Sequence, residues 1–333
     1  MPRLLLFALA VLAPAPAALA RAGAFVQLGF DARSLGLGRA TAADLSGLAS
    51  PFDNPALAPF SEPQHLDVTA GLLSFDREYQ SVQLGTRLPP RAGLAGGLVR
   101  AAVTGIDGRD ASGQPTGEIS TQELATFVAF GLRPTNRVSA GVGLHVFRAD
   151  FGERLRPALS LGIDAGVTVR VTDQIALGFV ADDLLAGYTW TASSGSNASG
   201  AKDRFPTRLR LGSSYRAGRL HVLAEVEGAF TNREGRTTQD ALDGTTPREA
   251  VTTTGYTLAS TTLRAGAEYQ VHPAVALRAG VDGLANADAG VRPSAGASFE
   301  TDAGPLRLRA HYAAALDPFG TGLRHLATVR VLF

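Results

Sequence analysis

The chain contains no cysteine, so neither disulfides nor thiolate metal sites can close its fold. Charge is scarce as well: Asp, Glu, Lys and Arg make up 18% of the 333 residues, against about 25% in ordinary soluble domains. The balance of +1 gives no reason to invoke nucleic acid. Long apolar runs are missing beyond residue 20, because Arg, Asp, Gly or Ser interrupts every stretch before the roughly 18 residues a membrane helix needs. Catalytic and metal-binding patterns are equally sparse. His65, His145, His221, His272, His311 and His325 are scattered without an H-E-x-x-H or paired-ligand spacing, so no metal or cofactor is expected. No G-x-S-x-G marks a nucleophile, and His311 with Glu225 or Asp282 supplies only fragments of a hydrolase site. The chain does not read as an enzyme.

What is present is glycine, a leader and alternation. Glycine accounts for 38 residues, well above the usual share of about 7%. Residues 1–20, "MPRLLLFALAVLAPAPAALA", carry Arg3, an apolar run and a small-x-small end, which predicts a secretory signal peptide. From Gln64 onward, 14 segments of apolar/polar alternation follow one another: 64–75, 78–88, 92–104, 121–133, 137–149, 158–171, 174–185, 205–216, 219–231, 257–271, 274–284, 292–301, 305–315 and 323–333. In "LRLRAHYA", Leu306, Leu308, Ala310 and Tyr312 share one face while Arg307, Arg309 and His311 share the other. Leu263, Ala265, Ala267 and Tyr269 likewise oppose Arg264 and Glu268.

The connectors alternate in length. Short ones fall near Pro89, Pro134, Thr172, Ala217, His272 and Asp302; longer polar ones cover 105–120, 150–157, 186–204, 232–256, 285–291 and 316–322, with a simple hairpin near Asp76 and Arg77. Tight periplasmic turns opposite longer extracellular loops, with an even strand count, predict an all-β, 14-stranded antiparallel transmembrane barrel in the bacterial outer membrane. Its apolar face meets lipid, and closure removes edges that lipid cannot hydrogen-bond. Tyr188, Trp190, Phe230 and Tyr256 fall near the long-loop ends and Tyr215, Tyr269 and Phe333 near the other, the level where amphipathic rings meet lipid headgroups. The inward set mixes Arg208, Arg210, Arg264, Arg278, Arg307, Arg309, Arg324 and Arg330 with Glu225, Glu227, Glu268 and Asp282, which predicts a filled lumen rather than an open pore. Asp182 and Asp183, at the outer end of the seventh segment, are expected as solvated acids at a loop base, with a cation site or a loop organiser as alternatives. Asn197 begins a glycosylation-type triplet inside the Ser-rich stretch 193–200, which reads as a flexible loop.

Residues 21–62 do not alternate, and a segment of that length can enter the bore as a short hatch with small helices; residues 63–333 then form the barrel. Gly29, Gly36 and Gly38 suit positive-φ turns or close approach to the wall, and Gly36-x-Gly38 lacks the remainder of a phosphate loop. Asn54 is placed to cap a short helix that starts at Pro55 and Ala56 and that Pro59 limits to about one turn. Such a turn either holds the hatch or moves when a ligand passes.

"QLGFDARSLGLGRA" (27–40), with Arg33 at its centre, followed by "DNPALA" (53–58), resembles the start of the PorV/PorQ family within the FadL superfamily of outer-membrane barrels. Asp31 and Arg39 stand where that family usually has glycine, and Leu57 where it prefers glycine. The resemblance implies a 14-stranded barrel with an N-terminal hatch. It also implies a scaffold associated with type IX secretion, with the translocon or cargo signal domains as partners. A terminal Phe333 resembles the insertion signal of outer-membrane barrels. The polar outer loops favour the scaffold, whereas the spellings "GLGRA" and "NPAL" lean toward the FadL branch, which implies transport of fatty acids or other hydrophobic compounds.

Overall fold

The computed structural model describes residues 22–152, 155–191, 201–231, 234–239, 248–253, 255, 257–286, 290–317 and 322–333. The expected leader, the triplet at Asn197 and Tyr256 lie outside the described residues. The strands are β1 (Gln64–Leu73), β2 (Arg77–Leu88), β3 (Ala92–Arg109), β4 (Pro115–Leu132), β5 (Val138–Asp150), β6 (Ala158–Arg170), β7 (Ile175–Leu184), β8 (Gly187–Trp190), β9 (Ala201–Arg204), β10 (Thr207–Ala217), β11 (Leu220–Thr231), β12 (Glu234–Gln239), β13 (Arg248–Thr253), β14 (Thr257–His272), β15 (Val275–Leu284), β16 (Arg292–Ala303), β17 (Leu306–Leu316) and β18 (Leu323–Leu332).

Fourteen of them close an antiparallel barrel in the order β1-β18-β17-β16-β15-β14-β11-β10-β7-β6-β5-β4-β3-β2. The expected fold is therefore the observed one. Two long connectors fold into hairpins of their own, β8-β9 and β12-β13, outside the barrel ladder. The connector expected over 105–120 is instead mostly strand: after a register shift between Val103 and Ile106, β3 and β4 continue pairing to a turn at Asp110, whose carboxylate accepts from the Ser112 and Gln114 amides. Gly105 at φ 69 takes up that irregularity.

Closure comes from the chain ends. Asp67 pairs with Arg330 and Val68 with Val329 across β1 and β18, and the Phe333 amide donates to the Gln64 carbonyl at 3.3 Å. Every neighbouring pair of barrel strands is hydrogen-bonded, so the barrel sheet has no open edge. Outward positions are apolar and uncovered, as at Leu84, Val128, Leu144, Leu161, Leu211 and Val329, whereas the alternating inward positions are buried. Leu144 is 60% exposed while its neighbour His145 is 4% exposed. An apolar exterior around a polar interior is the inverse of a soluble barrel, and the protein is an outer-membrane β-barrel.

The aromatic girdle is only partly as expected. Tyr215, Tyr269, Tyr312 and Phe333 are exposed on the outer face, but Tyr188 is buried against Trp190 and Phe205, because β8-β9 tucks it over the mouth. At mid-wall, Leu144→Arg is expected to cost about 2–4 kcal/mol of barrel stability in a bilayer. Denaturant unfolding of the variant in phospholipid vesicles, followed by Trp190 fluorescence, measures it.

Candidate functional site

The bore is occupied by the chain's own N-terminal segment. Its described part starts at the long-loop mouth with a 3₁₀ turn, Ala24–Leu28, and descends toward β1 at the short-turn end. The Phe30 carbonyl accepts from the Tyr79 hydroxyl (3.1 Å) and the Ser81 hydroxyl (2.8 Å) of β2. Helix α1 (Ala32–Gly36) then forms because the Asp31 carboxylate accepts the Ser34 amide at 2.6 Å, an N-cap. The Ala32 amide donates to Thr328 on β18 at 2.9 Å. Further on, the Ala42 amide donates to Glu225 at 3.0 Å and the Ser214 hydroxyl donates to the Ala43 carbonyl at 2.8 Å. The second turn, Pro55–Phe60, is 3₁₀ and is capped as its sequence implies: Asn54 Oδ1 accepts the Ala56 amide at 3.0 Å, with Pro55 at the first position. Asn54 Nδ2 donates to the Ala42 carbonyl at 2.7 Å, tying the two seated stretches together.

The expected glycines do two different things. Gly29 (φ 97) and Gly38 (φ 61) make left-handed turns, while Gly36 is helical and lies against β16 and β17, where a Cβ would sit 3.4 Å from that of Ala313. Arg39, the position where the resembled family has glycine, also adopts a left-handed φ of 63. The glycines that sequence reasoning missed are in the wall: a Cβ on Gly93, Gly131, Gly141 or Gly166 would collide with the Asn54–Pro59 turn, and one on Gly266 or Gly280 with Leu37 and Gly38. Their signal is glycine at inward positions of strands, where bulk is otherwise expected.

Charges hold the segment on one side of the bore. Arg33 is 1% exposed and binds Asp44 at 2.5 Å and Glu268 at 3.1 Å; Arg278 shares Glu268 at 2.5 Å. Arg264 reaches Glu225 (2.8 Å), Glu227 (2.9 Å) and Asp282 (3.1 Å), and Arg39 reaches Asp282 at 3.3 Å. Arg330 binds Asp67 (2.6 Å) and Glu62 (3.2 Å), and Arg309 also binds Glu62. The filled, mixed-charge lumen is thus as expected, except that Arg307 sits exposed at the short-turn mouth beside Asp302. Asp182 and Asp183 are not solvated. They are buried and face inward, bound by Arg210 at 2.6 Å and by Arg208 at 2.9 Å, because the left-handed Asp183 (φ 58) turns both acids into the bore. Glu225 and Asp282 are likewise engaged by Arg264 rather than aligned with His311.

Burial opposes the Arg33 charge, but Asp44 and Glu268 overcome it and hold the guanidinium above the ordinary arginine range; Arg33 in turn holds the buried Asp44 carboxyl well below the usual carboxylate range. Asp31 differs. Burial, aided by Asp53 and Asp67 and opposed by its Ser34 hydrogen bond and Arg330, pushes it up to about 6.

The other side of the bore is aromatic and apolar around a buried polar pair, His145 Nε2 with Asp164 at 2.9 Å. Phe25 packs edge-on against Phe147 (6.4 Å between centroids), Phe147 lies on His145 (5.6 Å), His145 on Phe127 (6.0 Å), and Phe127 meets Phe30 and Phe52. Ala95, Val99, Ala125, Ala129 and Ala149 complete this face. At its outer end lies a cavity of about 220 Å³, lined by Ala24, Phe25 and Leu28 of the threaded segment and by Leu73, Ala101, Val103, Glu123 and Phe151, among others, of the wall and loops. Beside it, Phe151 stacks on Trp190 at 5.1 Å.

The arrangement is that of an outer-membrane barrel with an internal hatch, a partly aromatic lumen and an outward cavity. No family model and no curated protein matches the chain. Solved structures share its fold. The CymD monoaromatic hydrocarbon channel superposes with a TM-score of 0.59 at 15% identity, over 92% of this chain and 97% of that one. The Pseudomonas putida toluene transporter TodX gives 0.58 at 14% identity, over 91% and 96%. A Pseudomonas aeruginosa FadL homologue gives 0.56 at 14% identity, over 90% and 97%.

Two outcomes test the charge network. Arg33→Met leaves the buried Asp44 without its guanidinium and Glu268 with Arg278 alone, and is expected to cost about 3–5 kcal/mol, read as lost hydrogen-exchange protection over residues 31–60. For Asp31, the folded pKa lies above its unfolded value of 3.8, so the folded state binds more protons between about pH 4 and 6 and loses stability as pH rises through that window. Asp31→Asn, which keeps the cap, is expected to flatten that slope in denaturant midpoints measured from pH 4 to 7.

Proposed function

We propose that the protein admits small hydrophobic compounds across the outer membrane, with residues 22–62 as its movable hatch. The observation that carries this reading is the alignment of the mouth cavity with the aromatic side of the bore. An apolar solute resting on Phe25 has Phe147, Phe127, Phe52 and Phe30 directly beneath it. An engineered apolar cavity of about 150 Å³ is enough to bind benzene, so 220 Å³ accommodates a monocyclic aromatic. The names of two structural neighbours, a monoaromatic hydrocarbon channel and a toluene transporter, agree with that size.

The secretion-scaffold reading drawn from the PorV/PorQ resemblance has one observation in its favour. The bore is filled by ion-paired segments and the wall ladder is closed, so a non-conducting barrel that docks secretion components is consistent with the geometry. Among the described residues, nothing in the wall or mouth points to the translocon or a cargo domain. The mouth cavity has no role in a scaffold, which favours the transporter. In either reading the site residues Gly29, Arg33, Gly36, Gly38, Asn54, Pro55 and Ala56 hold the hatch, and Phe333 closes the barrel.

Locking the hatch separates the two. Gly36 and Ala313 stand at disulfide distance, with Cβ positions 3.4 Å apart against a usual value of about 3.8 Å, and the chain has no competing cysteine. Gly36→Cys combined with Ala313→Cys, oxidised, is expected to lower toluene uptake by expressing cells to the level of the deletion strain, with recovery on reduction. Uptake that never depended on the protein, together with loss of surface-protein export in the deletion strain, establishes the scaffold instead.

A further inference from the structure

The mouth cavity is not uniformly apolar, and its polar end is unbalanced. Glu123 points inward from β4, and its ladder partners are Ala101 on β3 and Ala149 on β5, neither of which offers a hydrogen bond. Among the described residues its carboxylate has one contact, from the Tyr188 hydroxyl to Oε1 at 3.5 Å, and no cationic partner. The other charged groups of the cavity are already matched. Glu78 is held by Arg100 at 3.2 Å, and Arg100 is further occupied by Gln80 and Gln122. Arg77 donates to the Ser74 carbonyl at 2.8 Å and to Asp317. Among the described residues the cavity therefore combines an apolar, aromatic floor with an uncompensated carboxylate and no available cation.

We propose that this cavity selects compounds that join an apolar or aromatic body to a protonated amine, with the amine on Glu123 and the body against Phe25, Leu28 and Phe151. The inference rests on the transporter reading and narrows it. A half-buried carboxylate without a cation is stabilised by a charged donor, and charge-assisted hydrogen bonds are about twice as strong as neutral ones. A ligand carboxylate meets Glu123 with no free guanidinium among the described residues, so like charges oppose it. A bare hydrocarbon fills the floor but leaves Glu123 unmatched. The faces of Phe25 and Phe151 add attraction for a cation that rides over them.

The chain's single tryptophan is a built-in reporter, since Trp190 stacks on the cavity residue Phe151. The purified barrel in nanodiscs is titrated near neutral pH with 2-phenylethylamine, ethylbenzene and 3-phenylpropanoate, following Trp190 emission and, in parallel, heat by calorimetry. The amine is expected to bind at least about tenfold more tightly than the carboxylate, and Glu123→Gln to weaken the amine about tenfold while leaving ethylbenzene within about twofold. Equal affinities for the three probes, or carboxylate binding tightest, overturn the proposal on the unmodified protein alone, whatever the variant does. If ethylbenzene binds and the hatch lock blocks toluene uptake without any amine preference, the selectivity fails and the transporter reading survives. If no probe binds and uptake is independent of the protein, both fail.

Discussion

A segment that runs through a narrow bore brings peptide groups and charges out of water, and each must find a partner on the wall. The Arg33 bridge to Asp44 and Glu268 is where this constraint is met most directly, because it joins two parts of the threaded segment to a strand at once. The surrounding ion pairs follow from it. Once Glu268 is committed, Arg278 shares it, and once Asp44 is fixed, Ala42 is held where its amide meets Glu225. Such pairs are weak contributors to net stability but costly to break singly. They therefore define where the segment sits more than how stable the barrel is.

The same constraint divides the lumen. Hydrogen-bonded ion pairs line the side formed by β7, β10, β11, β14 to β18 and β1, and the threaded segment passes there through α1 and residues 41–44. Across from them, β3 to β5 present alanine, valine and phenylalanine, and the segment meets them with Phe25, Phe30 and Phe52. Dispersion and apolar burial have no fixed geometry, so that side tolerates displacement that the ionic side does not.

Much of this was legible in the residues. The alternation at Leu306 to Tyr312 and the short turns gave strand number, face and closure because a period of two has one meaning once both faces have known solvents. Asn54-Pro55 foretold a capped turn, since capping is local chemistry. What stayed hidden was long-range. Asp182 and Asp183 look like loop acids until a left-handed residue turns them toward Arg210 and Arg208. Tyr188 reads as a girdle residue until its hairpin folds over the mouth. The seats at Gly141 and Gly166 are ordinary strand glycines until the turn above them is placed. Glu123 carried no motif, because its character comes from what its neighbours lack.

The wall and the hatch together limit how anything leaves the mouth cavity. With every strand pair hydrogen-bonded, a lateral exit at mid-height breaks ladder bonds that lipid cannot replace, at several kcal/mol for each unsatisfied group. Displacing the ionic half of the hatch removes Arg33 from Glu268, Arg39 from Asp282 and the Ala42 amide from Glu225, leaving each acid with wall arginine alone. A shift on the aromatic side breaks neither a ladder bond nor an ion pair until it reaches the Asn54–Pro59 turn. There Ser139 holds the Ala56 carbonyl at 2.8 Å, and Arg133 and Arg170 stand over the Phe60 ring. On the proposed transport function, the least costly route runs down the phenylalanine column to that turn, and because Asn54 ties the turn to Ala42, clearing it also moves the stretch anchored by Arg33.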